Sequence, residues 1–360
     1  MKQFICACDG VVFFENTQCL TCGKELGWCP ECTRMTALER TSDGKLRCAN
    51  SECGALLVKC HNYGVEKVCN RCCAAQPDSD GKAPLCDYCR FNDTIPDLSI
   101  AGNREMWARL EAAKRRLLYT LDLLKLPYGS RKDGFEPVLS FDFKADTTQI
   151  RKWWWSMGKE ERVYTGHANG KITINLREAD TVEREKARVM FHEAHRTVIG
   201  HFRHEIGHYY WQMLIEDRAE ADFIAVFGDH RDPGYGDAQQ AYYKDGPRSN
   251  WPASFISAYA TMHPWEDFAE TFAAYLDMVS VLDTAHHMNL GENLDPATAE
   301  LPVLVSCYMR LGVVLNEMNR SMGLLDLVPE VFVAPVIAKL DYIHKLVQQA
   351  RSTVVPVAAH

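Results

Sequence analysis

His204-Glu205-Ile206-Gly207-His208 sets two histidines four residues apart with a glutamate between them. On a helix that spacing projects both imidazoles from one face, where they can reach a single metal ion. Glu205 then stands beside the water such an ion would bind, where a carboxylate can take its proton. The flanks agree, since Ala194–Arg203 and Tyr209–Glu216 contain no proline and repeat apolar residues at helical spacing. The stretch predicts the active-site helix of a zinc-dependent hydrolase rather than a surface helix with two incidental histidines.

A catalytic zinc site needs a third protein ligand and an open position. The segment Ser257–Glu270 (SAYATMHPWEDFAE) offers it. Pro264 can open a helix that runs on through Met278, with Phe268, Phe272 and Leu276 as its apolar stripe. Glu266 and Glu270 share one face, which suits Glu266 as the ligand and Glu270 as a carboxylate orienting a zinc-bound imidazole. His263 and Asp267 are rivals that spacing does not exclude.

Three segments, Gly166–Leu176 (GHANGKITINL), Arg196–Trp211 (RTVIGHFRHEIGHYYW) and Phe255–Leu276 (FISAYATMHPWEDFAETFAAYL), resemble the bacterial zinc-binding metallopeptidases that carry an N-terminal zinc ribbon. The resemblance runs from Phe4 to about Leu346 and implies the gluzincin type. It implies Glu266 as the zinc ligand, Glu270 as its support and Tyr259 facing the developing oxyanion, with Tyr209 and Tyr210 also close in sequence. The implied fold is α+β: cysteine-rich zinc ribbons, then a zincin-like domain with a small sheet, the motif helix and a mainly helical C-terminal part.

Composition sets bounds. The 360 residues suffice for two domains, and 47% hydrophobic with 24% charged residues is ordinary for a globular protein. A net charge of −8 and no Lys/Arg cluster in the first hundred residues argue against a nucleic-acid partner. No secretory signal is legible at the N-terminus, and no run is read as a membrane span, so a cytoplasmic location is expected.

In that reducing setting the cysteines read as metal ligands rather than disulfides. Fourteen of the fifteen fall between Cys6 and Cys89. Cys6, Cys8, Cys19 and Cys22 form one four-thiolate set, and Cys29, Cys32, Cys48 and Cys53 a second. For a third, spacing joins Cys86 and Cys89 to Cys69 and Cys72, whereas the resemblance favours Cys60 and Cys69; Cys73 and His61 are spare donors. The Cys29–Cys53 module looks additional to the family's two clusters. Two or three structural zincs and one catalytic zinc are expected, the structural ions supplying folding free energy of about 10 kcal/mol each. Cys307, in an apolar helix-like run, reads as a core thiol.

The expected organisation is a ribbon region over 1–95, a linker and connecting helix over 96–128, and a metallopeptidase domain over 129–355. Phe91–Ile100 reads as the linker and Arg104–Leu126 as a long amphipathic helix ended by Pro127 and Gly129. Val138–Phe143 and Lys171–Leu176 read as strands, the second joined to Arg162–Thr165 through Ala168-Asn169-Gly170. Thr173 and Asn175 would bind substrate if that strand were an edge holding an extended peptide; an interior strand is the equal alternative. Trp153-Trp154-Trp155 reads as packing, and His192-Glu193-Ala194-His195 as a decoy one residue short of the motif.

The function so predicted is hydrolysis of a protein or peptide substrate, with His204, His208 and Glu266 on zinc, Glu205 as general base and Tyr259 as an oxyanion donor. The alternatives are a latent protease controlled by a protein partner at the ribbon region and a non-catalytic zinc-stabilised binding protein.

Overall fold

The computed structural model describes residues 1–75, 83–146, 165–180, 197–291 and 294–353. Trp153–Trp155 and His192–His195 lie outside them, as do Arg162–Tyr164 of the expected hairpin.

The chain opens with β1 (Gln3–Ile5) and β2 (Val11–Phe13), paired antiparallel. Next come β3 (Leu26–Cys29), β4 (Arg34–Arg40), β5 (Leu46–Cys48), β6 (Leu56–Lys59), the short α1 (His61–Gly64) and β7 (Cys72–Ala74). Strands β3 to β7 form one antiparallel sheet in chain order. Cysteines sit at its strand ends and turns. Facing sulfurs are 3.7–3.9 Å apart in the pairs Cys6–Cys22, Cys8–Cys19, Cys29–Cys53, Cys32–Cys48 and Cys69–Cys86. Four thiolates at about 2.3 Å from a tetrahedral zinc lie about 3.8 Å apart, far beyond a bonded S–S pair of about 2 Å. The donor sets therefore fit zinc, and the region is built as zinc ribbons.

The third set gathers Cys60, Cys69, Cys86 and Cys89. Backbone N–H groups of Cys86, Cys89 and Arg71 donate to the sulfurs of Cys60, Cys86 and Cys69. Cys72, which spacing alone favoured, is not in this set. It is the first residue of β7, and its sulfur points beneath β3, where a Cβ on Gly27 would come within 2.8 Å of it. A strand fixes its side chains to alternate faces, so Cys72 cannot turn toward Cys86.

The expected linker is partly structural. Phe91 is buried, and Asn92–Thr94 forms β8, which pairs parallel with β9 (Ser140–Lys144). Between them runs α2 (Asn103–Leu124). Its inner face carries Trp107, Leu110, Leu117 and Leu121, but also Glu111 and Lys114, both fully buried. Lys114 Nζ lies 2.9 Å from Glu111 and also donates to Asn92 of β8, while Trp107 donates to Glu111. One continuous core runs from Cys60, Cys86 and Phe91 through α2 into the following domain. The ribbons are thus bolted to the body rather than tethered to it.

The second sheet has the order β10-β11-β9-β8, with β10 (Gly166–Ala168) and β11 (Lys171–Asn175) a hairpin. Asn169 and Gly170 both have positive φ, and a Cβ on Gly170 would meet the Val138 carbonyl oxygen at 2.1 Å, so the turn requires glycine there. Strand β11 is interior. Thr173 pairs with Gly166 on one side and Asp142 on the other. The side chain of Asn175 accepts from Arg177 N and donates to Asp146. Among the described residues the edge reading therefore passes from Thr173 and Asn175 to β10.

The remaining described elements are helical: α3 (Val198–Leu214), α4 (Glu220–Phe227), α5 (Tyr235–Asp245), α6 (Pro264–His287), α7 (Leu301–Ser321) and α8 (Ala334–Thr353). Thr197 caps α3, accepting from Gly200 N. Among the described residues α7 is long and apolar enough to cross a membrane by length and composition, where no such run was expected. Its inner face, with Leu301, Leu304, Cys307 and Tyr308, packs into the core.

Replacing Lys114 with alanine should leave Glu111 buried without its cation and cost about 3–5 kcal/mol in urea-unfolding measurements. Replacing Glu111 and Lys114 together with leucine and methionine should cost much less.

Candidate metal centre

Two helices build the site. α3 supplies the histidine motif, and α6 crosses it so closely that a Cβ on Gly207 would lie 2.9 Å from Ala269 Cα and 3.2 Å from its carbonyl oxygen. The glycine inside the motif therefore sets the spacing between backbones. At that spacing Glu266, fully buried on α6, reaches both histidines. Its Oε2 lies 3.0 Å from His204 Nε2 and 3.5 Å from His208 Nε2, and the two nitrogens are 3.1 Å apart. Ligand atoms about 2.0–2.1 Å from a tetrahedral zinc stand about 3.3–3.4 Å from one another. All three atoms converge on one point, and the set fits a zinc ion.

The rivals are committed elsewhere. His263 caps α6, its Nδ1 accepting from Trp265 N, and its Nε2 lies 2.9 Å from the His230 carbonyl oxygen. Asp267 is ion-paired with Lys339 of α8 at 2.6 Å and accepts from Thr271.

The two histidines are held differently. His204 Nδ1 is 2.6 Å from Glu270, which in turn accepts from Ser257. That carboxylate–histidine pairing fixes the ring and raises its basicity. His208 stacks on the indole of Trp265 at 3.6 Å, and its Nδ1 has no hydrogen-bond partner. Burial would raise the Glu266 carboxyl, but His208 and His204 hold it well below the usual carboxylate range. Burial pushes Glu205 up to about 7, and its Oε2 is buried without a partner. A carboxyl poised there is suited to taking and returning a proton near neutral pH.

Tyr259, on the short turn before α6, lies with its ring centroid 6.0 Å from that of His204. Tyr209 and Tyr210 point away into the core, Tyr209 donating to the Pro137 carbonyl oxygen. Sequence reasoning missed Tyr235, at the first position of α5, whose hydroxyl donates to Glu266 Oε1 at 2.8 Å. Nothing in the local sequence marks it, because α5 lies outside both motif helices.

A protein-family model described as "Putative zinc-binding metallo-peptidase" matches residues 103–346, and a zinc-ribbon domain model matches 3–100. The chain belongs to this family of zinc-binding metallopeptidases. Uncharacterized proteins of Mycobacterium tuberculosis and Mycobacterium bovis are similar to it, at 38% identity over 97% of this chain and 96% of theirs. No solved structure matches. The boundary between the two family matches falls just before α2, although the core continues across it.

Gly207→Ala should force the two helices apart, costing about 1–3 kcal/mol in stability. Metal analysis should show the loss of zinc from this centre while the cysteine-bound zincs remain.

Proposed function

We propose that this metallopeptidase hydrolyses peptide bonds of a protein or peptide substrate in the gluzincin manner. The observation that carries the reading is the convergence of His204, His208 and Glu266 on one point beside the buried, unpartnered carboxylate of Glu205. A zinc ion held by those three residues would act as a Lewis acid and lower the pKa of bound water. Glu205 takes the proton as water attacks the scissile carbonyl and passes it to the leaving amine. Glu270 and Ser257 keep the His204 ring oriented, and Tyr259 donates to the developing oxyanion.

An extended substrate is expected along β10, the edge of the second sheet among the described residues, through backbone hydrogen bonds. His167 of that strand lies 6.4 Å from His208, ring centroid to ring centroid, which puts the edge beside the centre. The unbridged cysteines suit a reducing compartment, and a cytoplasmic location is part of this proposal.

Glu205→Gln should keep its zinc and lose at least about 100-fold in turnover, the contribution of a positioned base. Mapping cleavages in a proteome-derived peptide library checks this; cuts made equally by both proteins would remove Glu205 from the mechanism. Metal analysis should find four zincs per chain, and three in Glu266→Ala. An unchanged count in that variant moves the third ligand elsewhere.

A further inference from the structure

The geometry points to Tyr235 as the positioning residue that fixes how Glu266 presents itself to the metal, holding Oε1 so that only Oε2 faces the histidines. The inference rests on the metal centre proposed above. Glu266 is fully buried, and each of its oxygens has a distinct neighbourhood. Oε2 faces His204 and His208 and has no hydrogen-bond donor. Oε1 accepts from the Tyr235 hydroxyl at 2.8 Å. A carboxylate with both oxygens free can chelate a metal through both, and the second contact would fill a position that substrate or water needs. A hydroxyl on Oε1 prevents this and keeps the glutamate a one-oxygen ligand.

Tyr235 is placed to do more than donate one hydrogen bond. Its ring packs edge-on against Trp265, with centroids 5.4 Å apart, and Trp265 is the indole stacked on His208. His208 has no hydrogen bond at Nδ1, so this stack is what orients it. One side chain thus touches both the glutamate and the indole that supports one histidine. It comes from α5, an amphipathic helix whose outer face is exposed and whose inner side presents Tyr235, Ala238 and Tyr242 toward the centre. The centre is completed by an element that carries none of its ligands.

Tyr235→Phe removes the hydroxyl and keeps the ring packing, which isolates the bond to Glu266. The test uses the full-length protein with zinc in the cysteine sites and cobalt(II) added to the centre after mild chelation. A four-coordinate cobalt absorbs far more strongly in the visible than a five-coordinate one. In Tyr235→Phe the visible band should weaken markedly, or cobalt should bind about 10–100-fold less tightly, as when other groups that orient ligands are removed. kcat should fall more than KM changes. A band and affinity equal to wild type would overturn the proposal. Glu266→Ala run alongside separates the two levels of inference. If it abolishes the cobalt band while Tyr235→Phe does not alter it, only the role of Tyr235 fails. If Glu266→Ala also leaves the band intact, the metal centre itself is misassigned. Retention of the cysteine-bound zincs in each variant reports that the fold is intact.

Discussion

The crossing of α3 over α6 at Gly207 and Ala269 is the constraint on which the metal centre depends. His204 and His208 are fixed to one face by helical spacing, but a two-histidine face alone leaves zinc under-coordinated. The third donor sits on a different helix, and its reach is short. A glutamate side chain can bring Oε2 to within 3.0 Å of His204 only because the backbones meet where the motif has no side chain. The same approach brings Glu270 to the back of His204 and Trp265 to the face of His208. Packing, ligation and orientation are thus set at one contact.

Around this contact the body shares one interior with the second and third cysteine sets, while the first packs in a separate cluster that Tyr119 of α2 joins. Small cysteine-rich modules have too few apolar residues to hold themselves together, and metal ligation is the usual substitute. Here the third cysteine set also packs on α2, and the buried Glu111–Lys114 pair ties Asn92 of β8 to the same helix. The segment that composition marks as a linker, with its proline and polar residues, therefore contributes a strand to the sheet that carries β10 and β11.

The centre is asymmetric in how it holds its two imidazoles. His204 is oriented by a charge-assisted hydrogen bond that draws on Glu270 and Ser257. His208 is oriented by ring stacking, with no acceptor behind it. Hydrogen-bonded support strengthens a ligand as well as aiming it, whereas stacking only aims it. The tyrosines follow the same division: Tyr209 and Tyr210 serve the core, while Tyr235 and Tyr259 face the site from elements outside α3.

What the sequence by itself determined is whatever depends on spacing within one element. The 3.6-residue period puts His204 and His208 on one face and Glu266 with Glu270 on another, and short cysteine knuckles bring Cys6 beside Cys8 and Cys19 beside Cys22 whatever the rest of the chain does. Tertiary structure decided what depends on two elements meeting. Only the pairing of β11 with both β9 and β10 shows that Thr173 lies inside the sheet, because strand order is a long-range property. Only the alternation of β7 against β3 takes Cys72 away from the third set that Cys60 completes. Only the fold commits His263 to a helix cap and Asp267 to Lys339, seventy-two residues later in the chain, and brings Tyr235 to Glu266. Such contacts are fixed by the core as a whole, and no local period records them.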